Sequence, residues 1–508
     1  MGDDDSDDWL SSARSVADGA GLHYAATLLV TGMGFLLNLL LTRTLGASAY
    51  GLYAYGLQIV QSALSFANLG TDVSINRYLS ANLDDPAYQQ RVLGMAYLTT
   101  GIASVLAAAG LFVAAPTITA YTLDEPGFTL ILQAFAVALP FEALTHLVVN
   151  TFRGLELPVQ KNLVTVSKAG LRLLAVAAAV LVGLSLLGVV AAIVVAAAMV
   201  FLAAMTYSLS RTGLRPSPRM SRGEAAEFYN FSIPLTFARA ANLLYKRVDV
   251  FMVGILLASA HVGIYNIAVL LAGIIAMPLA GINQLFPPVA SRLHADGDLE
   301  TLQTVYVTVT RWSITASILV SIPLLVYSTE LLALFGPEFV AGAGVLILFV
   351  IGQLANAAAG PANDLLTMTG HQYVVLANHW IAGIVNVALN YYLILEFGLI
   401  GAALATASVL AAVNVVRVVE VWYLEGLFAY SRALWKPFVA AGVAVVAMVV
   451  PSPLLSGLPL VIVGGVVCVV VFGLALYALG IEEHDRRLAD EYFGLIDDAT
   501  DRSAVTGD

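Results

Sequence analysis

The sequence predicts an all-α polytopic membrane protein of about fourteen transmembrane helices. Three observations predict it. Of the 508 residues, 59% are hydrophobic and only 11% charged, against about 25% charged in a soluble domain. The mean hydropathy is +0.87, and a soluble chain this apolar would expose aggregating patches. Runs of about 20 apolar residues, the length that crosses a bilayer, also recur along nearly the whole chain. This composition argues against a cytosolic enzyme and against a disordered chain. The net charge of -11 argues against nucleic acid as a partner. A lone cysteine, Cys468, leaves no disulfide framework and no multi-cysteine metal site.

Taken in order, residues 1–21 form an acidic segment with Asp3, Asp4, Asp5, Asp7 and Asp8. It lacks the basic start and small-residue cleavage site of a secretory signal, so the first apolar run is expected to be retained. Six spans follow at roughly 22–42, 51–70, 92–115, 128–150, 163–184 and 187–209. A basic linker, 211–229, holds Arg211, Arg215, Arg219 and Arg222. Its Ser221-x-x-Glu224 pattern predicts a capping box at the next helix. Spans 7 to 12 are read at 230–256, 262–287, 312–335, 342–366, 373–395 and 398–422, and two more at 435–452 and 457–480. The breakers Pro116, Leu184-Ser185, Pro337 and Pro451-Ser452-Pro453 mark boundaries. An acidic tail, 481–508, closes the chain.

Orientation follows from Lys and Arg, which concentrate on the cytoplasmic side. With the N-terminus inside, sixteen cationic residues fall in inner segments and only Arg43 falls outside, six more lying within spans. An even span count returns the C-terminus to the cytoplasm, so a cell-membrane protein with both ends inside is expected. There are 19 Arg against 4 Lys. With acidic ends, that composition suits a cytoplasm of very high salt and predicts a halophilic prokaryote; a merely solvated acidic tail is the plainer alternative.

The linker divides the first twelve spans into an N-lobe, 22–210, and a C-lobe, 230–425, with spans 13 and 14 (435–480) appended. Internal similarity supports two copies of one unit. Leu45-Gly-Ala-Ser-Ala-Tyr-Gly51-Leu-Tyr53 resembles Leu257-Ala-Ser-Ala-His-Val-Gly263-Ile-Tyr265. Phe152-Arg-Gly154 sits before span 5 where Met368-Thr-Gly370 sits before span 11, and Gly188-Val-Val-Ala-Ala opens span 6 much as Gly398-Leu-Ile-Gly-Ala opens span 12. Six spans per copy give parallel repeats, a plan common among transporters.

The run Gly19-Ala-Gly21 through Leu39-Leu-Leu-Thr-Arg43-Thr-Leu-Gly46-Ala-Ser-Ala-Tyr-Gly51-Leu-Tyr53, continued by Leu69-Gly70-Thr-Asp72-Val-Ser-Ile-Asn-Arg77-Tyr78, carries a resemblance. So does Phe152-Arg-Gly154 with Gln160-Lys161. The chain resembles the polysaccharide-export and lipid-linked-oligosaccharide flippases of the multidrug/oligosaccharidyl-lipid/polysaccharide exporter superfamily. That resemblance implies two pseudo-symmetric six-helix lobes facing each other in a V. It also implies a polyprenyl-(pyro)phosphate-linked sugar as substrate, moved from the inner to the outer leaflet, with membrane lipids and glycosyltransferases or a polymerase of the pathway as partners.

Ionisable residues inside spans are costly and default to functional hypotheses. In span 7, Arg239, Asn242, Lys246 and Asp249 share a helix face, with Arg247 adjoining. In span 5, Lys161, Thr165, Lys168 and Arg172 do so, and in span 4, Glu142, His146, Asn150 and Arg153. Gln353, Asn356, Gly360 and Asn363 line up in span 10 beside Asp364, and His379, Gly383, Asn386 and Asn390 in span 11. The polar stripes of spans 10 and 11 read equally as interhelical packing, and His146 and His379 as hydrogen-bonded packing residues. An excess of buried cations suits a phosphate head: Arg offers bidentate donors and Lys a point charge. Arg239, Lys246 and Arg247, with Asn242, are the expected head-group residues, faced by Lys168 and Arg172. Asp72, Glu142, Asp249 and Asp364 are candidates for ion coupling or for pairing with neighbouring cations. Gly32, Gly34, Pro234 and Pro278 are candidate bending points.

No Walker A, GxGxxG, HExxH or CxxC pattern occurs, so neither a cofactor nor a metal is expected. Two other functions compete. A cation-coupled multidrug exporter of the same superfamily would be expected to line its cavity with carboxylates, whereas these candidates are net positive. A membrane-embedded glycan polymerase or ligase would need a sizeable outer loop, and the longest, around 116–127, carries only Asp124 and Glu125.

Overall fold

The computed structural model describes the backbone of residues 4–123, 125–450 and 454–480, and within these the side chains of all but 4–24, 126, 237–242, 244, 246 and 282–285. Asp124, the Pro451-Ser452-Pro453 breaker and the acidic tail lie outside the described residues. Sixteen α-helices follow: α1 (Asp4–Ala67), α2 (Thr71–Ser80), α3 (Pro86–Tyr121), α4 (Pro126–Gly154), α5 (Pro158–Leu181), α6 (Leu186–Thr212), α7 (Arg222–Leu256), α8 (Ser259–Gly273), α9 (Met277–Ala295), α10 (Leu299–Val326), α11 (Ser328–Ala333), α12 (Ala343–Ala359), α13 (Ala362–Met368), α14 (Gln372–Glu425), α15 (Trp435–Val449) and α16 (Gly457–Ala478). No strand occurs among the described residues.

Eleven helical stretches among the described residues are long and apolar enough to cross a membrane. Two of them each hold two spans joined at a kink. α1 bends at Gly46 (φ 75, ψ 174) and α14 at Gly398 (φ 56, ψ -131), backbone that a side chain would strain. With α7, 35 residues long, the total agrees with about fourteen spans. Large apolar side chains such as Leu181 (86% exposed) and Val113 (78%) stand on the outside, where lipid replaces water as their solvent.

Two expectations are corrected. Pro116 does not end span 3, because α3 runs through it to Tyr121; prolines are tolerated inside membrane helices where neighbours re-satisfy the freed carbonyl. The span 10 stripe is not one continuous helix face. The helix breaks between α12 and α13 at Gly360 (φ 57), and Pro361 has no N–H to continue it. Gln353 and Asn356 therefore sit on α12, and Asn363 and Asp364 on α13.

The chain forms two compact units. The first comprises Met1–Ile267, Phe335–Gly342 and Leu376–Thr406; the second comprises Ala268–Leu334, Ala343–Val375 and Ala407–Asp508. In the first unit Ile75, Leu79, Leu93 and Leu147 pack with Phe228 of α7. The basic linker is tied down there. Ser217 N–H donates to the Gln90 carbonyl at 2.8 Å. Arg91 Nη2 meets Glu224 Oε1 at 3.2 Å. The expected capping box forms, Ser221 and Glu224 each accepting from the other's backbone N–H.

In the second unit, α15 and α16 pack on α10 through Ile314, Ile318, Ala440, Ala444, Cys468 and Phe472. The Tyr327 hydroxyl donates to the Met448 carbonyl at 2.6 Å. Ala440 and Ala444 and the close-packed Gly464 let these helices approach closely, which is how helices associate when lipid is as apolar as they are.

Candidate functional site

The first unit holds a cavity of about 390 Å³ walled by α1, α2, α4, α5 and α6. Its ionisable lining is Asp72, Glu142, His146, Lys168 and Arg172. Helical spacing puts them there. Glu142 and His146 lie one turn apart on α4, Lys168 and Arg172 one turn apart on α5, so each pair points the same way. Glu142 Oε2 and Lys168 Nζ form an ion pair. Arg172 Nη2 donates to the Tyr53 hydroxyl at 2.8 Å, while its Nε is buried without a hydrogen-bond partner. His146 Nδ1 lies 3.8 Å from Asp72 Oδ2 and 3.3 Å from the Asn68 amide nitrogen.

Asp72 is buried in the first turn of α2, where the helix dipole favours a negative charge. The backbone turns into α2 through Leu69 and Gly70, both at positive φ. Farther along α4, Asn150 donates to the His146 carbonyl at 2.8 Å and accepts from Asn76 at 3.1 Å. Of the polar face read in span 4, His146 and Asn150 are linked to each other, while Glu142 turns to Lys168.

A single charge at the bilayer centre costs at least about 2.5–3.5 kcal/mol. Here two cations stand against two carboxylates, so the charges largely offset one another. Lys168 and Arg172, expected to face a ligand, each already hold an intramolecular partner. Tyr53, Gln61 and Ser65 complete the surroundings; a tyrosine and two neutral polar residues in an apolar run carry no charge signal that marks them in the sequence.

The other expected residues fall elsewhere. The side chains of Arg239, Asn242 and Lys246 lie outside the described residues, although α7 runs through them. Arg247 is exposed and, among the described residues, does not line the cavity. Asp249 is buried and held by neutral donors: Val250 N–H at 2.8 Å and the Tyr265 hydroxyl at 2.7 Å. Asn386 and Asn390 of α14 are fully buried in the same unit. Asn390 donates to Asn386 Oδ1 at 2.8 Å, and Asn386 donates to the Tyr245 carbonyl at 3.2 Å. The His379 ring packs 5.4 Å from Tyr245. Asp364, in the second unit, lies 3.5 Å from the Asn363 amide.

A polytopic helical membrane protein with a charged cavity inside its spans has the build of a transporter. The sequence profile of the family described as "Polysaccharide biosynthesis protein" matches residues 16–294, more than half the chain, and the MatE profile matches residues 234–392. The chain belongs to the polysaccharide biosynthesis protein family, within the multidrug/oligosaccharidyl-lipid/polysaccharide exporter superfamily. It is 30% identical over 251 residues to the "Probable low-salt glycan biosynthesis flippase Agl15" of Haloferax volcanii, covering 47% of this chain and 50% of that one. The match thus spans about half the length of that relative. It is 24% identical over 443 residues to the "Probable flippase AglR" of the same organism, covering 85% of this chain and 89% of that one. Its fold is similar to that of "Lipid II flippase MurJ, inward closed conformation", with a TM-score of 0.73 at 11% identity, covering 89% of this chain and 97% of that one.

Proposed function

We propose that this protein is a flippase. It moves a polyprenyl-(pyro)phosphate-linked sugar or oligosaccharide from the inner to the outer leaflet by alternating access, for surface polysaccharide or glycoprotein synthesis. It is a transporter and not an enzyme. The observation that carries the reading is that Lys168 and Arg172, both half-buried, stand together on the wall of a cavity among the spans. A phosphate stripped of water needs charge-assisted donors, and neutral lipid tails need none. The flippase names of the two archaeal relatives support the same reading.

In this reading the N-lobe (22–210) and C-lobe (230–425) rock about the linker, in a cell membrane with both termini cytoplasmic. Arg239, Lys246 and Arg247, with Asn242, hold the head group from the C-lobe side, and Lys168 and Arg172 from the N-lobe side. Asp249, buried and held by Val250 N–H and the Tyr265 hydroxyl, is the first candidate for ion coupling, with Asp72, Glu142 and Asp364 behind it. Glycosyltransferases or a polymerase of the same pathway supply and consume the substrate.

The MatE match over residues 234–392 favours a second reading, a cation-coupled multidrug exporter, and Asp72 and Glu142 are acids suited to it. Both carboxylates already stand beside a basic side chain, which leaves less negative charge for a cationic drug. Alanine at Arg239, Lys246 or Arg247 is expected to impair glycan export while the protein still inserts. Wild-type export from all three variants contradicts the head-group assignment.

A further inference from the structure

We propose that Glu142 is a built-in stand-in for the ligand's phosphate, occupying Lys168 until an anionic ligand displaces it. The proposal rests on the reading of the cavity as a phosphate site and names what governs entry to it. Lys168 is paired to Glu142, yet its side chain remains 34% exposed and it lines the cavity. Arg172, one turn along α5, keeps a buried Nε–H with no partner. A carboxylate on one cation and an orphaned donor on the next make an anion site that is half filled from within. The groups facing Glu142 are Lys168, Arg172 and His146, with Asp72 beside His146 and Tyr53 beside Arg172.

The exchange has a physical reason. Two half-buried cations with no counter-ion would be costly when the cavity is empty, and Glu142 removes that cost for one of them. A pyrophosphate carries more charge and more acceptor oxygens than a carboxylate, and can serve Lys168 and the free Arg172 donor together. A neutral or weakly anionic molecule cannot displace Glu142 and is refused. The stand-in therefore selects for phosphate, and it weakens apparent affinity by the fraction of molecules it leaves open.

The test measures binding of inorganic pyrophosphate and of farnesyl pyrophosphate to the purified full chain in detergent, for wild type, Glu142→Gln, Glu142→Asp and Lys168→Met. If Glu142 fills the site in about nine molecules of ten, Glu142→Gln binds about tenfold more tightly than wild type. Glu142→Asp, which draws the carboxylate back by one methylene, falls between and keeps the charge. A gain for both probes assigns the site to phosphate itself; a gain confined to the farnesyl compound assigns it to the lipid-linked form. Unchanged or weaker binding by both Glu142 variants, with binding lost in Lys168→Met, overturns the stand-in and leaves the phosphate site intact. No binding to wild type or to any variant overturns the phosphate site as well.

Discussion

Gly51 and Gly263 hold equivalent places in the two sequence repeats and pack against each other. A Cβ on Gly51 would strike the carbonyl of Ser259, and one on Gly263 the carbonyl of Ala47. Ala47 and Ser259 are themselves equivalent positions, so the contact is a local two-fold. Around it, Ser48 and Ser259 share a hydrogen bond at 2.7 Å, and Asn266 donates to the Tyr50 hydroxyl at 2.7 Å. Glu338 accepts from Ala47 N–H at 2.5 Å and so caps the half-helix that restarts after Gly46. Small residues that let backbones touch are what hold helices together in lipid.

That symmetry predicts matched effects. Gly51→Ala and Gly263→Ala are each expected to destabilise the protein by about 1–3 kcal/mol, the usual range for overpacking. The pair together should cost less than the sum, since one displaced backbone relieves both clashes. Thermal unfolding of the purified variants in detergent checks both points.

Tyr53 is buried and its hydroxyl receives Arg172. Tyr53→Phe leaves a second guanidinium donor of Arg172 without its protein partner. The expected loss is about 1.5–3 kcal/mol, the range for hydrogen bonds to charged groups. Tyr55→Phe is the control: its hydroxyl meets only neutral groups, the Phe251 carbonyl at 3.5 Å and the Thr122 side chain, so its loss should be smaller.

Outside the membrane, Glu224 anchors the start of α7. Its carboxyl is held below the ordinary 4.5, first by hydrogen bonds from Ser221 and then by Arg91. A carboxylate with a lowered folded value contributes stability above its unfolded value and loses it as pH falls through the folded one. The capping contribution is therefore complete above about pH 4.5 and declines in more acid solution. Protection of the Ser221 and Glu224 amides, measured as exchange relative to the intrinsic rate at each pH, should fall there, and Glu224→Gln should show weaker pH dependence.

Much of the first unit's cavity was legible because its ionisable residues obey helical spacing on unbroken helices. Glu142 with His146, and Lys168 with Arg172, can be read as pairs without knowing how α4 meets α5. Their pairing with each other could not, since contact between helices leaves no periodic trace. The span 10 stripe failed for a local reason, the Gly360–Pro361 break. Tyr265 stands out in the sequence only as part of a repeat, although it holds Asp249. A hydroxyl at the end of an aromatic ring reads as core until its partner is seen. The repeats, in contrast, were visible as sequence, and the Gly51–Gly263 contact is their physical counterpart.

The central claim is translocation of a lipid-linked glycan, and sidedness tests it most directly. Inverted membrane vesicles from a strain lacking this protein would be probed with a membrane-impermeant lectin or glycosidase. The flippase account predicts that one lipid-linked glycan accumulates on the cytoplasmic face. Unchanged sidedness, accompanied by lost resistance to cationic dyes, would contradict it and favour the drug-exporter reading.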